Sequence, residues 1–441
     1  MPPKKAITPQ NIFSLDIFVF LLVVPAHIVN QDAFLVVVVL LIYLVVSSLL
    51  PLSSHATQPE VKSRIGFVLR LTCIWIAITA IVILPTIMNI VERQTTPVEE
   101  DGYSPANITL SDSAFQTELA LAFLEQGRNP YVESYADTPM RFYQWQDITD
   151  PNWQDPALHY FVYFPGSLYI SYPIYKLTQS LFSFYDQRIV YLILYVCLIF
   201  FLPLLAESPT HKLALVSAIG LNPLFTESVI PGMNDVAPLL AIVIAILFLQ
   251  RKHILWATFF WGIACALKQY TWLMTPFYFL YVWEQATPEK RGQQLVKVAG
   301  LMSGIVVFSV LPFALWNFDA FYTDTFAFPA GRAEFLYPIR GFTIGRLLMG
   351  AGVIPTYISP FPFQWLQILG GVPVLVGMLW YQYRRGLGGM LFASAVFVFV
   401  FGFLSRFFHH NYVGVVLILA TLGLLLDLQK DHGLQLLSLP E

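Results

Sequence analysis

Apolar runs follow one another along almost the whole chain, most of them near the roughly 20 residues that a helix needs to cross a bilayer. They lie near 12–30, 33–51, 66–90, 188–206, 212–226, 233–250, 254–268, 270–283, 298–316, 363–383, 387–404 and 411–428. The pattern predicts an all-α polytopic membrane protein with about 12 transmembrane helices. Charged residues are only 12% of the 441, about half the roughly 25% of soluble domains. So little charge cannot cover the outside of a soluble fold. A formal net charge of −3 offers no basic face for nucleic acid. Cys73, Cys197 and Cys265 all sit inside apolar runs without metal-ligand spacing and read as small buried hydrophobes.

Basic residues orient the spans. With the N-terminus in the cytoplasm, alternate short loops collect Lys4, Lys5, Lys62, Arg64, Arg70, Lys212, Arg251, Lys252, Lys290, Arg291, Lys297, Arg384, Arg385 and Lys430, fourteen of the 24. Three segments follow: an N-terminal helical hairpin and linker (1–65), a transmembrane module (66–428), and a cytoplasmic tail (429–441). Within the module, residues 92–187 form one long extracytoplasmic loop. It carries 13 acidic residues against Arg93, Arg128, Arg141 and Lys176, a net charge of −9. Loops of this size between spans tend to be functional. In it Ser111 is positioned to cap a helix that Gly127 closes. The later run YFPGSLYISYPIYKLTQSLFSF reads as a helix lying in the membrane interface. Asn107-Ile108-Thr109 fits a glycosylation acceptor triplet.

Ionisable groups at membrane depth are expensive and mark functional sites. In this topology they gather at one face. Asp112 opens the loop helix. Glu227 and Asp235 flank the turn NPLFTESVIPGMND. Lys268 lies between two apolar halves in ACALKQYTW. Arg406, His409 and His410 fall in SRFFHHNY, and Arg332, Arg340 and Arg346 occupy a neighbouring loop. Each has a plainer role as well: Asp112 or Asp235 as a helix cap, Lys268 as a snorkelling end residue, the two histidines as interface residues. Lys268 and Arg406 have no acidic neighbour in sequence, so an anionic ligand between them would balance both.

The order of motifs resembles the GT-C superfamily, membrane glycosyltransferases that use polyprenyl-phosphate-linked sugars. SDSAFQTELALAFLEQGRNPY resembles their first extracytoplasmic loop, with its turn at Gly127-Arg128-Asn129-Pro130-Tyr131. Tyr163-Phe164-Pro165-Gly166-Ser167-Leu168 resembles the start of the second interfacial helix. NPLFTESVIPGMNDVAPLLAIVIAILFL and WGIACALKQYTWLMTP resemble stretches of the mannosyltransferase-like and related bacterial branches. The resemblance covers roughly residues 66–428. It departs where Gly166 stands for a second proline and Met233 for a histidine.

The resemblance implies sugar transfer at the extracytoplasmic face, by one inverting displacement, to a glycan, lipid or protein acceptor. Asp112 is then the expected general base. Lys268, Arg406 and His410 are expected to hold the donor phosphate. Asp235, Glu227, Asn234 and Tyr163 are expected to touch the sugar or acceptor. No cofactor is implied; a divalent metal would fit the class, but no ligand set is defined. Membrane lipids are the other expected partners, and nucleic acid is not one. The expected location is a prokaryotic plasma membrane, or the endoplasmic reticulum with the site facing the lumen. Two other readings fit parts of the sequence. A polyprenyl-lipid flippase or transporter would show internal repeats and a midplane site, and a membrane acyltransferase would work through His409-His410 and an acidic partner.

Overall fold

The computed structural model describes residues 14–28, 34–52, 61–100, 102–142 and 155–437. Lys4, Lys5, Asp101, Asp147, Asp150 and the side chain of Lys430, all used in the charge reading above, lie outside the described residues.

Helices occupy every one of the apolar runs. Their lengths divide them. Six are long and apolar enough to cross a membrane: Val61–Thr95, Gln187–Leu205, Pro288–Trp316, Phe363–Gln382, Gly386–Phe403 and His410–Leu428. Leu15–His27, Phe34–Leu49, Val236–Gln250 and Ile254–Leu267 are apolar but shorter. At 1.5 Å per residue, a helix of 15 residues is about 22 Å long, short of a hydrocarbon core of about 30 Å. The expected count of about 12 crossings is therefore not carried by helix length. The physical reason is visible in Val236–Gln250, which is buried on nearly every side. A helix apolar all round is as suited to a protein core as to lipid, and hydropathy alone does not separate the two.

One continuous apolar core runs from Ile17 to Leu426 and includes the N-terminal hairpin. The hairpin helices are tied in by buried polar contacts. Asp16 and Arg70 pair at 2.8 Å with side chains 0% and 1% exposed. The Tyr43 hydroxyl donates to the same carboxylate at 2.7 Å. Arg70 also donates to the carbonyls of Ser47 and Leu50, which close the second hairpin helix. A third tie joins a His27 ring nitrogen to the Leu221 carbonyl at 2.9 Å.

The loop elements follow their local chemistry. The Ser111 side chain accepts from the Ala114 amide and starts the helix Asp112–Glu125. Gly127, at φ +71, lies just beyond its end. The helix Gly166–Phe182 begins where Gly166 faces the Ala266 backbone; a Cβ there would lie 2.4 Å from the Ala266 carbonyl oxygen. Glycine in place of the second proline of the related motif thus permits this helix to touch the end of Ile254–Leu267. The described residues hold little strand: a parallel bridge sets Arg340 opposite Phe407 and Gly341 opposite Phe408.

Breaking a buried ion pair by removing one partner costs about 3–5 kcal/mol, because the other charge stays buried alone. Asp16→Ala or Arg70→Ala should each lower thermal stability in detergent by an amount of that order. The double variant Asp16→Leu with Arg70→Met should recover most of it. Equal stability of the single variants and the parent would remove the pair from the account of how the hairpin is held.

Candidate active site

Helix ends converge on a cavity of about 730 Å³. The start of Asp112–Glu125 supplies Ser111, Asp112, Ser113 and Gln116. The turn before Val236–Gln250 supplies Met233 and Asn234. Lys268 comes from the break between Ile254–Leu267 and Tyr270–Gln285. His410, Asn411 and Tyr412 come from the start of the last helix, and Arg340 and Phe407 from the parallel bridge.

The acidic loop is fastened to this cavity at two places. The Ser111 amide donates to the Pro231 carbonyl at 2.8 Å, and the Ser111 hydroxyl to the Gly232 carbonyl at 2.9 Å. Gly232 has φ +83, and a Cβ there would lie 2.8 Å from Arg188 Cγ, so the turn that presents Asn234 needs glycine. On the far side of the helix, Arg93 forks onto Glu118 at 2.7 and 2.8 Å and reaches Asp186 at 3.1 Å. Arg188 pairs with the same Asp186 carboxylate at 2.7 Å. Two arginines and two carboxylates thus balance in a largely buried cluster behind Asp112. Arg93 also donates to the Asn107 side-chain oxygen, and Arg188 to the Thr109 hydroxyl. The Asn107-Ile108-Thr109 triplet is built into this support.

Asp112 is half-buried at the cavity wall, with one carboxylate oxygen accepting from the Ser113 amide at 2.7 Å. Burial raises its pKa above the ordinary carboxylate range, against the pull of the Ser113 amide and the charges of Lys268 and Arg340. Asp155 lies close enough to feel its charge. Burial pushes the Asp155 carboxyl up to about 7, with the Ala157 amide acting the other way.

The sequence expectations separate here. Asp112, Lys268, His410, Asn234 and Tyr163 all line the cavity. Asp235 does not. It stands behind the lining, 1% exposed, where it accepts from Lys268 Nζ at 2.6 Å and from Asn411 Nδ2 at 2.6 Å. Lys268 therefore already has its anion, 33 residues away in sequence, and also contacts Asn234 at 2.7 Å. Glu227 is exposed and outside the lining. Arg406 lies apart from the lining as well. Its guanidinium donates to the backbone carbonyls of Tyr337, Ser359 and Tyr357. A chain segment that folds back over the guanidinium supplies acceptors for its donors.

The sequence reading names Arg340 among the basic residues of a nearby loop without giving it a role, and does not name Asn411 at all. Arg340 reaches the cavity because its backbone is bridged to Phe407, a pairing with no local signal. Asn411 follows the His409-His410 pair directly, and that adjacency was the only cue. Aromatic side chains form much of the remaining wall, among them Tyr160, Phe328, Tyr337 and Tyr412. Among the described residues, no three of His, Cys, Asp and Glu come together as a metal-binding group.

Residues 120–284 match the family model described as alpha-(1->6)-mannopyranosyltransferase, N-terminal domain. That span holds Tyr163, Asn234, Asp235 and Lys268, and ends before Arg340, His410 and Asn411. No curated protein matches the chain. Over the matched span the chain is similar to a mannosyltransferase family, which supports a membrane-embedded glycosyltransferase.

Proposed function

We propose that this protein transfers a mannosyl residue from a polyprenyl-phosphate donor to a glycan acceptor at the extracytoplasmic face of the membrane. The observation that carries the reading is one cavity lined by a carboxylate of raised pKa, the Arg340 side chain and the Asp235-paired Lys268. The family match supplies the sugar. The apolar helices around the cavity supply a reason for a lipid-borne donor.

The proposed step is a single displacement. The acceptor hydroxyl attacks the anomeric carbon, and its proton passes to the Asp112 carboxylate. The bond from that carbon to the phosphate oxygen breaks, and polyprenyl phosphate leaves with the electron pair. A base of raised pKa accepts the proton more readily at neutral pH than an ordinary aspartate. Charge on the leaving phosphate grows in the transition state, where fixed cations are worth most. In the proposed step Arg340 meets that charge, with the Asp235-paired Lys268 behind it and His410 at the start of the last helix. The positive end of that helix's dipole adds to the same field.

The primary test incubates purified protein with radiolabelled polyprenyl-phosphate mannose and mannan-type acceptors; absence of labelled product would reject the proposal. Asp112→Asn should lower kcat by about 10²–10⁴-fold while the fold is kept, since an asparagine side chain can still accept from the Ser113 amide. Asp112 works ionised, so kcat should fall as pH drops through its raised pKa. The acid limb should therefore lie above the roughly 3.9 of a free aspartate. A variant that retains half the parental activity would show Asp112 to be only part of a helix start.

The two arginines should divide. Arg340→Ala should slow transfer by about 10²–10³-fold, the loss typical of one transition-state contact, with little change in thermal stability. Arg406→Ala should lower thermal stability, because it strands three carbonyls, and leave the donor KM near the parental value. Transfer rates against donor concentration, read beside melting temperatures, check both. The reverse pattern would return the phosphate to Arg406.

A further inference from the structure

The cavity floor carries two asparagines whose amide orientations are dictated by charge. Lys268 has only donors to offer, so the Asn234 atom 2.7 Å from its Nζ is the carbonyl oxygen. The Asp235 carboxylate, ion-paired with Lys268, only accepts. The Asn411 atom 2.6 Å from it is therefore the amide nitrogen. The ion pair thus turns the two side chains in opposite senses. Asn234 is left with its NH2 group and Asn411 with its carbonyl oxygen. The residues are 5% and 7% exposed, and both line the cavity. Neither remaining amide group has a protein partner among the described residues.

We propose that Asn234 and Asn411 are a sugar-recognition pair of fixed polarity. Asn234 donates to one sugar oxygen, and Asn411 accepts from a hydroxyl on the same or a neighbouring carbon. The assignment rests on the glycosyltransferase reading and extends it. Beside the two amides the charges of Lys268 and Asp235 cancel at 2.6 Å, so what these amides read is a neutral part of the ligand, away from the phosphate at Arg340. A hydroxyl both donates and accepts, which is the combination these two groups require. A ligand lacking it leaves a nearly buried amide unpaired, which is how a site of this kind discriminates. Asp235 acts through the amides and is a positioning residue.

The test uses the purified full-length chain, polyprenyl-phosphate mannose and a mannose-terminated acceptor, with deoxy and fluoro analogues at each hydroxyl of the donor sugar and of the accepting residue. At the hydroxyl read by Asn411, the deoxy and fluoro analogues should both lose about 10- to 100-fold in kcat/KM, since fluorine cannot donate. At the oxygen read by Asn234, the fluoro analogue should retain more than the deoxy analogue, since fluorine accepts weakly. These arms need no mutation. In Asn411→Ala, the deoxy penalty at its hydroxyl should vanish while penalties elsewhere persist, and Asp235→Asn should weaken the discrimination between fluoro and deoxy analogues. Parental enzyme that transfers mannose with no sensitive hydroxyl, or with additive losses in Asn411→Ala, would overturn the pair alone. Parental enzyme that transfers no sugar would overturn the glycosyltransferase reading and the pair together.

Discussion

A lysine ammonium buried among apolar helix ends must be balanced by a nearby anion, and here Asp235 supplies it at 2.6 Å. Much of the cavity floor follows from that contact. It draws the break after Ile254–Leu267 onto the turn that starts Val236–Gln250. Through Asn411 it draws in the first turn of the last helix as well. Three helix ends that share no local sequence signal are thereby held against one another. The rings of Tyr412 and Tyr270 lie 4.9 and 5.7 Å from the same ammonium. The polar groups of Asn234 and Asn411 then have only one arrangement in which every close partner is of opposite kind.

The acidic loop depends on this floor and on a second balanced cluster. Ser111 and Ser113 rest on the Gly232 carbonyl, so the helix that begins at Asp112 is seated on the turn carrying Asn234. Arg93, Glu118, Asp186 and Arg188 fix the other side of that helix. Gln116 extends the support, donating to the carbonyls of Ala157 and Tyr160 at 2.7 Å. Asp112 is thus located from three directions. Its raised pKa comes chiefly from burial, with Lys268 and Arg340 acting against it.

What could be read from sequence was local. Ser111 as a cap, Gly127 beyond the helix end, and the helical character of every apolar run follow from chemistry within a few residues. Asp112, Lys268 and His410 were expected together from the ionisable groups gathered at one face, and Asn234 and Tyr163 from the resemblance; all five line one cavity. What failed was pairing across distance. Lys268 and Arg406 looked alike as cations without acidic neighbours, yet one meets Asp235 and the other meets three carbonyls of a folded-back segment. Arg340 looked like any loop arginine until its bridge to Phe407 placed it. The number of crossings is not readable from hydropathy for a related reason, since Val236–Gln250 is apolar and also enclosed by protein.

In the proposed reaction, donor phosphate and acceptor base meet in this one cavity. An experimental structure of the protein with a non-hydrolysable polyprenyl-phosphonate mannose bound tests it most directly. The expected result is the phosphonate against the Arg340 guanidinium and the Lys268 side of the cavity, with the anomeric carbon facing Asp112. A donor headgroup seated outside the cavity, or one whose anomeric carbon faces away from Asp112, would contradict it.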